Sequence, residues 1–162
     1  MSINNLDLPK FNDLKNRVQF EYKKIGKIFS PALKADIWFT SNGFHHLRYD
    51  STRSERSKKV QKNKFIYFND ALNILKKATT IQEYRRSITT LEKYDKSNFS
   101  KIKIVEWFAF FSIVNFTKKI RVKVIVRRVG GELGQYHFWS VIPYWTLSNK
   151  TRVVGSKEIE DN

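Results

Sequence analysis

The sequence has no cysteine, which removes disulfides, thiol nucleophiles and every Cys-ligated zinc site. Histidine is almost as scarce: the three in the chain, His45, His46 and His137, are too few for most all-histidine metal cages. His45 and His46 are adjacent and point about 100° apart on a helical turn, so they cannot easily share an ion. No His-Glu-x-x-His run occurs and acidic residues do not cluster, so neither a metal nor a cofactor is expected. An HNH-type use of the histidine pair would need downstream Asn and His ligands that are absent. Glycine (6) and proline (3) are too sparse for a collagenous or low-complexity chain. Long apolar runs are missing as well. The longest, from Trp107 to Val114, is interrupted by Ser112 and is much too short to cross a bilayer. No basic segment followed by an apolar one opens the chain, so no secretory signal is read and a cytoplasmic location is expected.

Negative charge is also in short supply. Against 31 Lys and Arg stand 15 Asp and Glu, a formal net charge of +16. With 162 residues, 41% hydrophobic and 15% aromatic, the chain can bury one core, and a single domain over 1–155 with a frayed polar tail at 156–162 is expected. A large positive excess neutralises phosphates with counterion release, holds a protein on an anionic membrane, or merely solvates the surface. Clustering favours the first. Residues 53–64 carry six cations and one acid in a polar stretch that reads as a loop or a solvated helix start. In residues 118–128, Ile120, Val122, Val124 and Val126 alternate with Arg121, Lys123 and Arg127. That is a half-buried strand with one basic face.

The order of elements argues α+β: N-terminal helices followed by an antiparallel β-meander. Phe11, Leu14, Val18, Tyr22, Ile25 and Phe29 are spaced 3-4-4-3-4, the stripe of a helix over 8–29 stopped by Ser30-Pro31. A short strand over 36–40 is turned by Ser41-Asn42-Gly43 into a helical turn over 44–49. Phe65, Phe68, Leu72 and Leu75 mark a second helix ending near Ala78. Thr80-Ile81-Gln82-Glu83 resembles a capping box opening a third stripe through Ile81, Tyr84, Ile88 and Leu91. Strands follow over 102–114, 120–128 and 135–142. The last two are joined by a glycine-marked loop, and the last is ended by Pro143.

Metal-free RNA cleavage needs few parts, because the 2′-hydroxyl is the nucleophile. A base, an acid and cations on the phosphorane suffice, and aromatic rings stack on unpaired bases. Histidine titrates near neutrality and serves as either proton carrier. His45 and His46 with Arg48, Tyr49 and Arg53, the strand face of Arg121, Lys123 and Arg127, and the run His137-Phe138-Trp139-Ser140 contain every part. Each also has a plain structural reading: packing for His46, His137 and Trp139, and satisfaction of a backbone group for Ser140.

Two stretches carry a family likeness. Gly43-Phe44-His45-His46-Leu47 follows a short strand, and Ile120-Arg121-Val122-Lys123-Val124-Ile125-Val126-Arg127-Arg128 leads through a Gly turn into His137-Phe138-Trp139-Ser140-Val141-Ile142-Pro143. Together, over residues 36–145, they resemble the phage-type Barnase–EndoU–colicin–RelE-like nucleases. The resemblance implies a Barnase/RelE-like fold and a metal-independent endoribonuclease acting as a toxin or effector, with RNA as substrate and a cognate inhibitor or antitoxin as partner. The family's Gly-aromatic-x-His-Leu pattern falls on His46, its following basic residue on Arg48 or Arg53, and its final-strand Phe-x-Ser on Phe138 and Ser140. The only acid near His46 is Asp50, one turn later, so a Barnase-like Glu/His pair has no counterpart. The expected catalytic set is His46, Arg48, Ser140 and His137. The expected substrate contacts are His45, Tyr49, Arg53, Arg121, Lys123, Arg127, Phe138 and Trp139. A non-catalytic basic RNA- or DNA-binding domain is the alternative.

Strand register decides which of these side chains meet. If Arg128 pairs with Gln135, Ser140 lies opposite Lys123, and Phe138 and Ser140 share the basic face while His137 enters the core. A one-residue slip exchanges the sets and brings Trp139 opposite Lys123. Without a bulge, His137 and Ser140 cannot both face a substrate.

Overall fold

The computed structural model describes residues 8–90, 102–147 and 150–153 of the chain. Helix α1 spans Leu8–Ile25 and buries Phe11, Val18 and Tyr22, the helical spacing expected of them. It ends earlier than the stripe suggests. Gly26, at φ 63°, takes the left-handed position that terminates helices and redirects the chain. Strand β1 (Lys27–Ser30) then pairs antiparallel with β2 (Ala35–Trp38), so Phe29 sits opposite Asp36 on a strand rather than on the helix.

Helix α2 (Ser41–Arg48) is separated from β2 by two residues, with Thr40 as its N-cap, so Ser41-Asn42-Gly43 is its first turn and not a separate loop. The Thr40 carbonyl accepts from the backbone N–H groups of Gly43 and Phe44 and from the Tyr22 hydroxyl, which donates at 2.9 Å. The expected single helix after the basic segment is two: α3 (Lys58–Ile66) and α4 (Phe68–Lys77), broken at Tyr67. Ser57 caps α3 by accepting from the Val60 N–H.

The third helical stripe is overturned. Glu83–Thr90 is strand β3, paired along its length with β4 (Ile102–Asn115). Its β-branched Ile88, Thr89 and Thr90 and aromatic Tyr84 suit a strand, and the ladder beside β4 outweighs the helical spacing. Leu91 lies outside the described residues, as does the 156–162 tail. Strands β5 (Ile120–Val129) and β6 (Tyr136–Leu147) complete an antiparallel meander β3-β4-β5-β6. Pro143 does not end β6. It falls between the segment paired with β2 and the one paired with β7 (Lys150–Val153), a position where one edge of β6 is uncovered.

The sheet is mixed, in the order β1-β2-β6-β5-β4-β3, with β7 beside the far end of β6. The β1–β2 hairpin joins through a parallel pairing, Ile37 with Tyr136 and Trp38 with His137. The fold is thus α+β with helices mostly first, but with a hairpin between α1 and α2.

Two apolar layers flank the sheet. Helices α1, α3 and α4 cover Phe108, Phe110, Val122, Val124, Val126, Phe138 and Val141. Tyr22 holds this layer together, with its ring 5.3–5.9 Å from those of Phe39, Phe44, Phe68 and Phe138. The opposite face carries Val105, Trp107, Ala109, Ile125 and Ile142, with Trp139 and Tyr144 packed against them.

Candidate functional site

Strand β6 contains one residue more than its partner. Ile125 lies opposite Ser140 and Val126 opposite Phe138, so Trp139 is the extra residue of a β-bulge. Neither register considered from the sequence is adopted: Arg127 lies opposite His137, and Lys123 opposite Ile142. Below the bulge Phe138 faces the helices and His137 shares the face of Arg127. Above it Val141 faces the helices and Ile142 the other layer.

The bulge, helix α2 and the loop after it form a cleft of about 450 Å³ on the face away from α1, α3 and α4. His45, His46, Arg53, Arg127 and Trp139 line it together with Asn42, Asp50, Ser51 and Trp107. A smaller recess of about 220 Å³ shares Asn42, Arg127 and Trp139 with this cleft and adds His137. The guanidinium of Arg127 lies 4.4 Å from the centre of the Trp139 ring. It has no carboxylate partner among the described residues, and its Nε is buried without an acceptor. Burial holds its pKa below the ordinary arginine value, and a guanidinium keeps its charge in proteins.

The loop 50–54 is shaped by Asp50. Its Oδ1 accepts from the Thr52 and Ser54 N–H groups, each at 2.9 Å, and from the Thr52 hydroxyl. These bonds, the Thr52 hydroxyl foremost, hold the Asp50 carboxyl below its usual range. The turn they close leaves Arg53 at φ 63°, presented at the cleft.

His46 is at the cleft, but not as the expected proton carrier. Arg56 Nη2 lies 3.3 Å from its Nδ1, and a guanidinium can only donate, so Nδ1 accepts and the proton sits on Nε2. Nε2 is buried without a partner, and the ring stands edge-on to Trp139 at 4.2 Å. Burial, with Lys64, Arg56 and Arg127 nearby, pulls its pKa down to about 3, so His46 stays neutral through the physiological range. Arg56 also donates from Nε to the carbonyls of His46 and Tyr49, closing the C-terminal end of α2.

Four further expectations are corrected by placement. Arg48 lies two residues, hence about 200°, around α2 from His46. It pairs with Glu55 at 3.7 Å and lines a separate depression beside Tyr22 and Phe44. Phe138 is fully buried in the helix-side core and reaches no substrate face. Ser140 is equally buried, its hydroxyl accepting from Lys64 Nζ at 2.8 Å. Lys64 also donates to the Val141 carbonyl at 3.0 Å, and burial lowers its pKa well below the lysine value. Two of its N–H groups are matched by these acceptors. The pair has the composition of a Ser–Lys dyad, but a substrate cannot enter it. Finally, Arg121 and Lys123 are separated from Arg127 along β5, Lys123 by about 13 Å. They line another groove with Phe111 and Tyr144, and Lys123 is bound to Glu83 at 2.8 Å.

Tyr49 stacks on His45 at 4.1 Å but is not among the residues that line the cleft, so it is not placed as a substrate contact there. His137 is held below its ordinary pKa by burial and then by Arg127. Sequence reasoning missed Asn42, Asp50, Ser51, Trp107, Arg56 and Lys64. Trp107 alone had a signal: alternation over 105–111 puts it on the face of Arg127. Among the described residues no group of three or more His, Cys, Asp or Glu could hold a metal ion, and no helix is long and apolar enough to cross a membrane. No family model, curated protein or solved structure matches the chain.

Proposed function

We propose that the protein is a metal-independent endoribonuclease that binds single-stranded RNA in the Arg127–Trp139 cleft. The observation that carries this is the Arg127 guanidinium, stacked on Trp139 with no carboxylate partner among the described residues, with His45 lining the same cleft and His137 the adjoining recess. A phosphodiester seated on Arg127 meets Arg53 across the cleft and can stack a base on exposed indole surface. His137, held neutral, accepts the 2′-hydroxyl proton as that oxygen attacks phosphorus. His45 delivers a proton to the departing 5′-oxygen. The products are a 2′,3′-cyclic phosphate and a free 5′-hydroxyl. Arg127 and Arg53 balance the charge of the phosphorane between these steps. A Barnase/RelE-like assignment, an RNA target and an inhibitor partner rest on the resemblance of residues 36–145 alone.

The pure protein incubated with single-stranded RNA in chelator is expected to yield cyclic-phosphate ends. Arg127→Ala and His137→Ala are each expected to slow cleavage about 100-fold or more. Arg48→Ala is expected to leave the rate within a few-fold. Intact RNA with folded protein overturns the catalytic reading. A non-catalytic RNA-binding module is the second reading, favoured by the permanently neutral His46, and it predicts binding by the same cleft with no cleavage.

A further inference from the structure

Five register pairs place six residues in one line across the strands: Lys27 on β1, Trp38 on β2, His137 on β6, Arg127 on β5, Trp107 on β4 and Arg85 on β3. Directly paired residues point to the same face, so this row crosses the sheet on the side away from α1, α3 and α4. Its contacts agree with that. The Lys27 ammonium lies 5.3 Å from the Trp38 ring, and Arg127 and Trp107 line one cleft. Trp38 and Lys27 are exposed. The row spans about 24 Å, five inter-strand spacings of about 4.8 Å.

We infer that single-stranded RNA runs across the strands along this row, from the Arg127 cleft over His137 and Trp38 to Lys27, and not lengthwise along the basic face of β5. The inference rests on the ribonucleolytic reading of the cleft and adds the path and the length of its substrate. Cations and flat rings recur along the row, which suits phosphates and unstacked bases in succession. From Arg127 to Lys27 the track covers three of those spacings, about 14 Å, which takes about three nucleotides. The lengthwise route is less favourable: buried Ile125 and Ala109 separate Arg127 from Lys123, and Lys123 is already neutralised by Glu83. Lys27 also has a carboxylate, Asp36 at 2.6 Å, but that pair is open to solvent and a phosphate can compete for it.

The test uses 2′-O-methyl oligouridylates, which cannot be cleaved, as di-, tetra- and octanucleotides at low salt. Affinity is expected to rise from the dinucleotide to the tetranucleotide and then level off. The Lys27→Ala/Trp38→Ala variant is expected to lose about tenfold for the two longer probes and little for the dinucleotide. Arg127→Ala is expected to weaken all three, and Arg121→Ala/Lys119→Ala none. If the Arg121/Lys119 variant weakens the longer probes while the Lys27/Trp38 variant does not, the crosswise track is wrong. The same holds if duplex RNA binds as tightly as single-stranded RNA. Dinucleotide binding that depends on Arg127 without any gain in length overturns the track and leaves the cleft assignment standing. Wild-type protein that binds none of the probes overturns both.

Discussion

His46 shows how far a side chain's surroundings can remove it from its usual chemistry. The unfolded chain takes up this proton near pH 6.5, whereas the folded protein resists until about pH 3. Between those values the unfolded state holds the extra proton, so stability is complete above pH 6.5 and falls as pH drops towards 3. The full effect is roughly 4–5 kcal/mol, because a tenfold change in proton affinity corresponds to about 1.4 kcal/mol. In His46→Gln the amide oxygen can still accept from Arg56, but nothing titrates. We expect urea unfolding to show wild type more stable at pH 7.5 and the gap closing or reversing at pH 4. Parallel acid profiles would show that His46 is not held neutral. The sequence contained part of this. Helix geometry alone separates His46 from Arg48, but the depth of burial depends on Trp139, 93 residues away in the chain, and on a bulge that no local pattern announces.

At the scale of elements, the position of α2 against β6 decides whether the cleft exists. Gly43 is the contact point. A Cβ there would run into the Tyr22 hydroxyl and the Phe138 carbonyl, one of which is main chain and cannot swing aside. Gly43→Ala is expected to destabilise by about 1–3 kcal/mol, as overpacked cores do. It should also lift His45 and His46 off Arg127, so RNA affinity falls along with the midpoint of thermal unfolding. A variant with wild-type melting and binding would mean that α2 is not so closely seated. Strand β5 was legible because β-branched residues alternate with charged ones along most of it, and β4 because it is a run of β-formers bounded by a turn. Helix α1 was legible up to Ile25 and misjudged beyond it, since the stripe runs on through Phe29 while Gly26 breaks the backbone. Strand β3 was misjudged because Ile81, Tyr84 and Ile88 fit a helical spacing equally well. Its pairing with β4 is a tertiary preference that no local window contains.

For the whole molecule, the excess of 16 positive charges is unevenly spent. Glu106 accepts from Arg128 at 2.7 Å and from the Tyr84 hydroxyl, Glu83 holds Lys123, and Glu55 holds Arg48 and Lys58. Acids thus neutralise cations elsewhere on the sheet, α2 and α3, and among the described residues leave Arg127 without a carboxylate partner. Composition leaves a polyanion partner as one expectation among others, and only the register says which cations would remain available for one. If three phosphates are neutralised, the logarithm of the binding constant for single-stranded RNA should fall with log salt at a slope of about −2. Arg127→Ala should flatten that slope by about 0.7. A slope unchanged in the variant would place the phosphates elsewhere.

Trp139 is the one residue of β6 that the ladder does not need. With it removed, Tyr136, His137, Phe138, Ser140, Val141 and Ile142 keep their present partners on β5 in unbroken alternation. The aromatic floor of the cleft is therefore equivalent to a single-codon insertion into a regular strand. A chain lacking that codon can form the same sheet and the same helix-side core while having no platform for Arg127. In an alignment of such chains the scaffold and the cleft would part at a one-residue gap between Phe138 and Ser140.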